Sequence, residues 1–164
     1  MRRLAAAGLL LLLPGCATVP LEDGVFVSPK GYRVRLPAEG WRREPGAGPD
    51  LRLARAAPAG GMVVDATCGG PELKRPLPVV LRHLTFGLDR RETLHSSEAP
   101  VAGLPAAHTV LRGTAGRAEV SVEAVVVRGP RCVYDFLYVA PAASFDVGRG
   151  DFRRLVESLG AGPP

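Results

Sequence analysis

Between residues 32 and 36 the chain alternates Tyr-Arg-Val-Arg-Leu, which sets Tyr32, Val34 and Leu36 on one side and Arg33 and Arg35 on the other. A period of two predicts a half-buried strand there. Residues 25–27, Val-Phe-Val, can open the fold just before it. The Pro- and Gly-rich stretch 44–50 predicts a loop, and residues 51–55 alternate again. A turn at 58–61 leads into the β-rich run 62–68, a hairpin partner for 51–55.

The period then changes. Leu77, Val80, Leu81, Leu84 and Leu88 form one helical stripe, with Pro76 and Pro78 suited to a first turn whose amide donors have no intrahelical acceptor. Strands are predicted at 92–98, 106–112, 119–127 and 132–140, with turns at 100–105, 113–116 and 129–130. In 119–127, Val120, Val122, Ala124 and Val126 share one face and Glu119, Ser121 and Glu123 the other, so Glu123 is expected in solvent. In 132–140 both faces are largely apolar, Cys132, Tyr134, Phe136 and Tyr138 alternating with Val133, Asp135, Leu137 and Val139, which predicts a central strand. Pro141 is expected to end it. A last helix is predicted over 151–159, with Asp151 at its amino end, Phe152, Leu155, Val156 and Leu159 as its stripe, and Gly160 after it. These elements define an α+β fold, an antiparallel β-sheet with two main helices packed on it, occupying residues 25–160 as one domain.

The amino terminus follows different rules. Met1-Arg2-Arg3, an apolar run over 4–13 and small residues before Cys16 are the parts of a secretory signal, and the run is too short for the roughly 20 residues that span a bilayer. Leu13-Pro14-Gly15-Cys16 resembles the lipobox of bacterial lipoproteins. That resemblance implies cleavage after residue 15, a diacylglycerol on Cys16 and a lipidated tether over 16–24, with residues 161–164 left as a tail. It also implies a membrane partner through the acyl chains of Cys16. Ala17, with no Asp at that position, implies the periplasmic face of the outer membrane. The order of elements after the tether, together with the segment 32–41 and the aromatic strand 134–138 before a closing helix, resembles the PsbP-like fold. Members of that group are commonly accessory subunits, which implies a protein partner in an envelope complex.

Composition adjusts this picture in two places. The chain carries 21 Lys+Arg against 16 Asp+Glu, and loss of Arg2 and Arg3 with the signal leaves 19 against 16. The only lysines are Lys30 and Lys74, so the basic character is arginine, including the pairs Arg42-Arg43, Arg90-Arg91 and Arg153-Arg154. Such pairs form either a solvated face or a meeting place for anionic headgroups. An exported protein does not meet the genome, so nucleic acid is excluded as a partner. With Cys16 committed to lipid, Cys68 and Cys132 remain as an even pair in an oxidising compartment and are expected to form a disulfide. The alternative is two separate thiols, since sequence does not bring their Cα atoms within bonding range.

Candidate chemistry is sparse. His83, His95 and His108 lack the spacings of zinc motifs. Ser28, Ser96, Ser97, Ser121, Ser144 and Ser158 lack a nucleophile elbow, and no phosphate-cradling loop precedes a helix. Glu123 and Asp135 fall on neighbouring predicted strands, the second expected as a paired polar group. Tyr134, Phe136 and Tyr138 either fill a sheet–helix core or line a ligand surface. The expectation is therefore no catalytic residue, no metal and no cofactor: a non-enzymatic envelope lipoprotein acting as an accessory or binding subunit. A lipid or small-ligand carrier is the alternative, and a cell-envelope enzyme is a third reading that no motif supports.

Overall fold

The computed structural model describes residues 24–161. Cys16, the signal segment 1–15, nearly all of the tether and residues 162–164 lie outside the described residues. In chain order the strands are β1 (Val25–Ser28), β2 (Tyr32–Arg35), β3 (Arg42–Arg43), β4 (Leu51–Ala56), β5 (Ala59–Cys68), β6 (Asp89–Glu98), β7 (Ala106–Ala115), β8 (Ala118–Arg128), β9 (Cys132–Pro141) and β10 (Gly160–Ala161). Helix α1 (Leu77–Leu84) lies between β5 and β6, and α2 (Phe145–Glu157) between β9 and β10. The fold is α+β, as its pattern predicts. An antiparallel seven-stranded sheet runs β3-β4-β5-β9-β8-β7-β6, and a small sheet runs β1-β2-β10.

Strand β9 is the fourth of seven, and its two faces supply two separate cores. Tyr134, Phe136 and Tyr138 point into the larger one, shared with Phe26, Tyr32 and Val34 of the small sheet and with Phe145, Phe152, Leu155 and Val156 of α2. Val133 and the half-buried Leu137 point the other way, into a core built by Leu77, Val80 and Leu81 of α1 over Ala124 and Val126 of β8. Each fully buried Phe or Leu in such a core contributes roughly 1.5–3 kcal/mol through lost apolar exposure.

Both helix boundaries differ from those the pattern predicts. Helix α1 stops at Leu84, four residues short of Leu88. Leu88 instead lies against β7, where Gly113 has no Cβ; one built there would sit 2.7 Å from Leu88 Cγ and 2.6 Å from the Asp89 carbonyl. Helix α2 starts six residues before Asp151, so Asp151 is an interior residue rather than a cap. Gly148 and Gly150 disguise that first turn as a loop. Gly148 is needed there because α2 approaches the sheet so closely that a Cβ would stand 2.5 Å from the Tyr138 hydroxyl. That hydroxyl donates to the Phe145 carbonyl at 2.9 Å, tying the start of α2 to β9. Pro141 closes β9 from inside it. The glycines expected in the turn at 58–61 belong partly to β5, where Gly60 leaves room for Trp41 and Tyr138.

Cys68 and Cys132 stand directly opposite each other at one end of the β5–β9 ladder, their Cα atoms 4.0 Å apart, and form the expected disulfide. It closes a loop of 64 residues' separation containing α1 and β6 to β8. Removing a cross-link of that span releases chain entropy to the unfolded state. The double substitution Cys68→Ser/Cys132→Ser should therefore lower unfolding stability by about 4 kcal/mol in the chain-entropy model. Denaturant titration of the oxidised and substituted chains checks this.

Candidate functional site

Helix α2 lies across the face of the large sheet that carries Glu123, and this corrects the expectation that Glu123 is in solvent. Its side chain is only 1% exposed. The alternation in β8 separates the two faces correctly, but both are covered, one by α1 and the other by α2. A buried carboxylate is tolerable when it is paired and hydrogen-bonded, and Glu123 is both. His108 Nε2 lies 2.9 Å from Oε1, Arg149 Nε donates to Oε2 at 2.7 Å, and Arg153 Nε donates to Oε1 at 3.4 Å. Burial by itself would raise the pKa of Glu123, but the hydrogen bonds from His108 and Arg149 outweigh it and hold the carboxyl below its usual range. An ionised carboxylate only accepts, so His108 Nε2 carries the proton of this contact.

The elements that make this cluster are distant in sequence. Residues three and four apart share a helix face, so Arg149 and Arg153 meet the sheet together. On β7, His108 faces the same side as Val110, one strand over from Glu123. The cleft that opens above them, about 370 Å³, is lined by His95, Ser97, His108, Val125, Phe152 and Arg153, among others. Val101 and neighbouring residues of the segment between β6 and β7 close one side. The lining is an apolar floor with a polar rim, the general make-up of small binding sites.

Of the sequence-stated candidates, the structure brings His95, His108, Ser97 and Glu123 together. His95 Nε2 is 3.1 Å from Ser97 Oγ, and the rings of His95 and His108 are 5.1 Å apart. This is not a nucleophilic triad, because the carboxylate orients His108 whereas the serine contacts His95. His83 lies on α1, on the opposite face of the sheet. Among the described residues no group of three or more His, Cys, Asp or Glu is arranged to hold a metal ion. Arg149 and Arg153 are the members the sequence reading missed. Arg153 was visible only as half of an arginine pair, and nothing in the spacing linked either to Glu123.

Asp135 also lies on the α1 side, directly opposite Asp65 on β5. It was expected as a paired polar group; its Oδ1 is instead buried with no hydrogen-bond partner. Burial first, then the nearby charges of Asp65 and Glu72, push its pKa up to about 7. Asp65 has its own cation, with Lys30 Nζ at 2.9 Å. Lys30 also reaches Asp50 at 2.9 Å, and Asp50 accepts from the buried Tyr32 hydroxyl at 2.9 Å. A third polar contact seats α2 at its other side, where Trp41 Nε1 donates to Asp151 at 3.0 Å and the Arg55 guanidinium lies over the Trp41 ring.

No family model and no curated protein sequence matches the chain. Solved structures match its fold. The solution structure of cyanobacterial PsbP (CyanoP) from Synechocystis has a TM-score of 0.61 at 15% identity, covering 91% of this chain and 98% of that one. The crystal structure of LpqN, described as involved in cell envelope biogenesis of Mycobacterium tuberculosis, has a TM-score of 0.63 at 14% identity, with coverages of 82% and 86%. A Bacteroides thetaiotaomicron structure has a TM-score of 0.62 at 12% identity; it covers 86% of this chain, which spans about half of that protein (49%). At these identities the likeness establishes a PsbP-like α+β fold. No helix among the described residues is long and apolar enough to cross a membrane.

Two outcomes follow from these carboxylates. Glu123→Gln removes the charge that Arg149 and His108 solvate and should cost about 2 kcal/mol of stability, read as a lowered midpoint in urea. Asp135 works in the opposite sense. Its folded pKa lies above the unfolded value of about 3.9, so the folded state holds the proton more tightly. Stability attributable to this group is full below about pH 4 and falls as pH rises toward 7. Asp135→Asn should raise stability at pH 7.5 and flatten the pH dependence between 4 and 7, as followed by thermal unfolding across that range.

Proposed function

We propose that this protein is a lipid-anchored, non-catalytic envelope lipoprotein, an accessory or binding subunit that engages a protein partner at the cleft between α2 and strands β6 to β8. The observation that carries this reading is the state of Glu123. Both of its oxygens are already engaged by His108, Arg149 and Arg153, and these contacts hold its carboxyl below the usual carboxylate range, away from the poise that suits proton transfer near neutrality. A carboxylate so occupied fixes the shape of the cleft and positions Arg153, whose side chain is half exposed. The fold shared with LpqN, a protein involved in cell envelope biogenesis, supports an envelope-associated role. The lipobox around Cys16 supplies the anchor, and Ala17 after it favours the periplasmic face of the outer membrane. A small-ligand carrier is the second reading, favoured by the apolar floor of Val125, Phe152 and Val156 in the same cleft.

In-cell crosslinking of the full-length chain, followed by mass spectrometry, separates the two. One dominant envelope protein should be captured, and Arg153→Gln, which removes the half-exposed guanidinium without setting a second carboxylate beside Glu123, should reduce that capture at unchanged protein level. A reproducible co-purifying lipid or small molecule with no protein partner would replace the subunit reading by the carrier one. Capture of nothing would end both.

A further inference from the structure

The small sheet has an outer face that neither core uses. In the β1–β2 ladder Val25 stands opposite Arg35, Phe26 opposite Val34 and Val27 opposite Arg33. Directly opposed residues project to the same side of a sheet. Phe26 and Val34 are buried against the large sheet, so Val25, Val27, Arg33 and Arg35 share the other side. The two arginines are exposed and the two valines half-buried. On β10, Gly160 faces Arg33 across the ladder. The Arg33 side chain lies over it, so closely that a Cβ on Gly160 would meet Arg33 Cγ and Nε at 2.9 Å. Among the described residues neither Arg33 nor Arg35 makes an ion pair, and of the carboxylates beside Arg35, Asp151 is engaged by Arg154 at 2.5 Å while Glu39 lines the same depression.

We propose that this face, Val25 and Val27 flanked by Arg33 and Arg35, is a docking surface for the anionic phospholipid headgroups of the membrane that holds Cys16. The proposal rests on the lipid-anchor reading given above. Strand β1 is the first element of the described residues, and from Cys16 to Gly24 the chain can extend no more than about 28 Å. That is shorter than the roughly 37 Å diameter of a compact domain of this size, so the pole carrying β1 stays near the bilayer. The tether itself carries Glu22 and Asp23, which an anionic surface repels; the attraction has to come from the sheet. A guanidinium offers the planar, paired donors that suit a phosphodiester. Flanking valines supply the modest apolar contact of a surface that rests on headgroups without entering the hydrocarbon.

The test uses the full-length, acylated protein reconstituted in vesicles, with arginine modification by phenylglyoxal read residue by residue by mass spectrometry. In phosphatidylethanolamine vesicles containing phosphatidylglycerol, Arg33 and Arg35 should react several-fold more slowly than in phosphatidylcholine vesicles. Arg90, on the far edge strand β6, and Arg117, in the turn between β7 and β8, should react alike in both. High salt should restore the reactivity of Arg33 and Arg35, because screening shortens the reach of surface charge to a few ångströms. Equal reactivity of Arg33 and Arg35 in the two vesicle types, with the acyl mass present on Cys16, overturns the docking surface and leaves the anchor standing. A chain whose mass shows no acyl group overturns the anchor and the docking surface together. No substitution is needed, so misfolding of a variant does not enter the result.

Discussion

Strands β8 and β9 must be kept dry on both sides, and much of the structure follows from that constraint. Valines on β8 and aromatic residues on β9 give the centre of the sheet two apolar faces. A sheet in this state needs a layer on each side. Helix α1 supplies one, while α2 and the small β1-β2-β10 sheet together supply the other. The charged group caught beneath the second layer, Glu123, then requires cations from that layer, and α2 presents Arg149 and Arg153 one turn apart. The cleft is therefore a by-product of dry packing made stable by an internal ion cluster.

Much of the architecture was legible in the residue pattern because periodicity reports burial directly. The alternation at 32–36, the stripe from Leu77 to Leu84 and the two-faced strand ending at Pro141 all appear where their spacing puts them. What periodicity does not report is which polar residue on an outward face will be covered later. Glu123 is such a residue, and its partners lie 15, 26 and 30 positions away. Glycine misled in the other direction. Gly148 and Gly150 suggest a loop on propensity, yet close approach to Tyr138 makes Gly148 a requirement of the helix. The cleft was legible only in fragments, as histidines and an arginine pair with no visible connection.

The two proposed contact surfaces lie on different parts of the molecule. One pole, built from β1 and β2, follows directly on the tether and carries arginines with valines. The cleft is built from strands on the far half of the large sheet and from the carboxy-terminal half of α2. Both rest on the larger core, through Tyr32 at one end and Phe152 at the other. The proposed partner contact and the proposed membrane contact thus fall on different parts of one core, and occupying one does not cover the other.

The bridge between Cys68 and Cys132 has a topological effect apart from stability. It joins the chain before α1 to the chain after β8, so the amino-terminal strands and α2 are connected by two covalent routes. A protease that cuts once anywhere between residues 69 and 131, including the exposed segment between β6 and β7, opens only one of them. The amino-terminal strands and the carboxy-terminal helix remain one molecule after the cut. While the bridge stays oxidised, a single nick leaves the two parts joined, and separating them takes reduction or a second cut outside the loop.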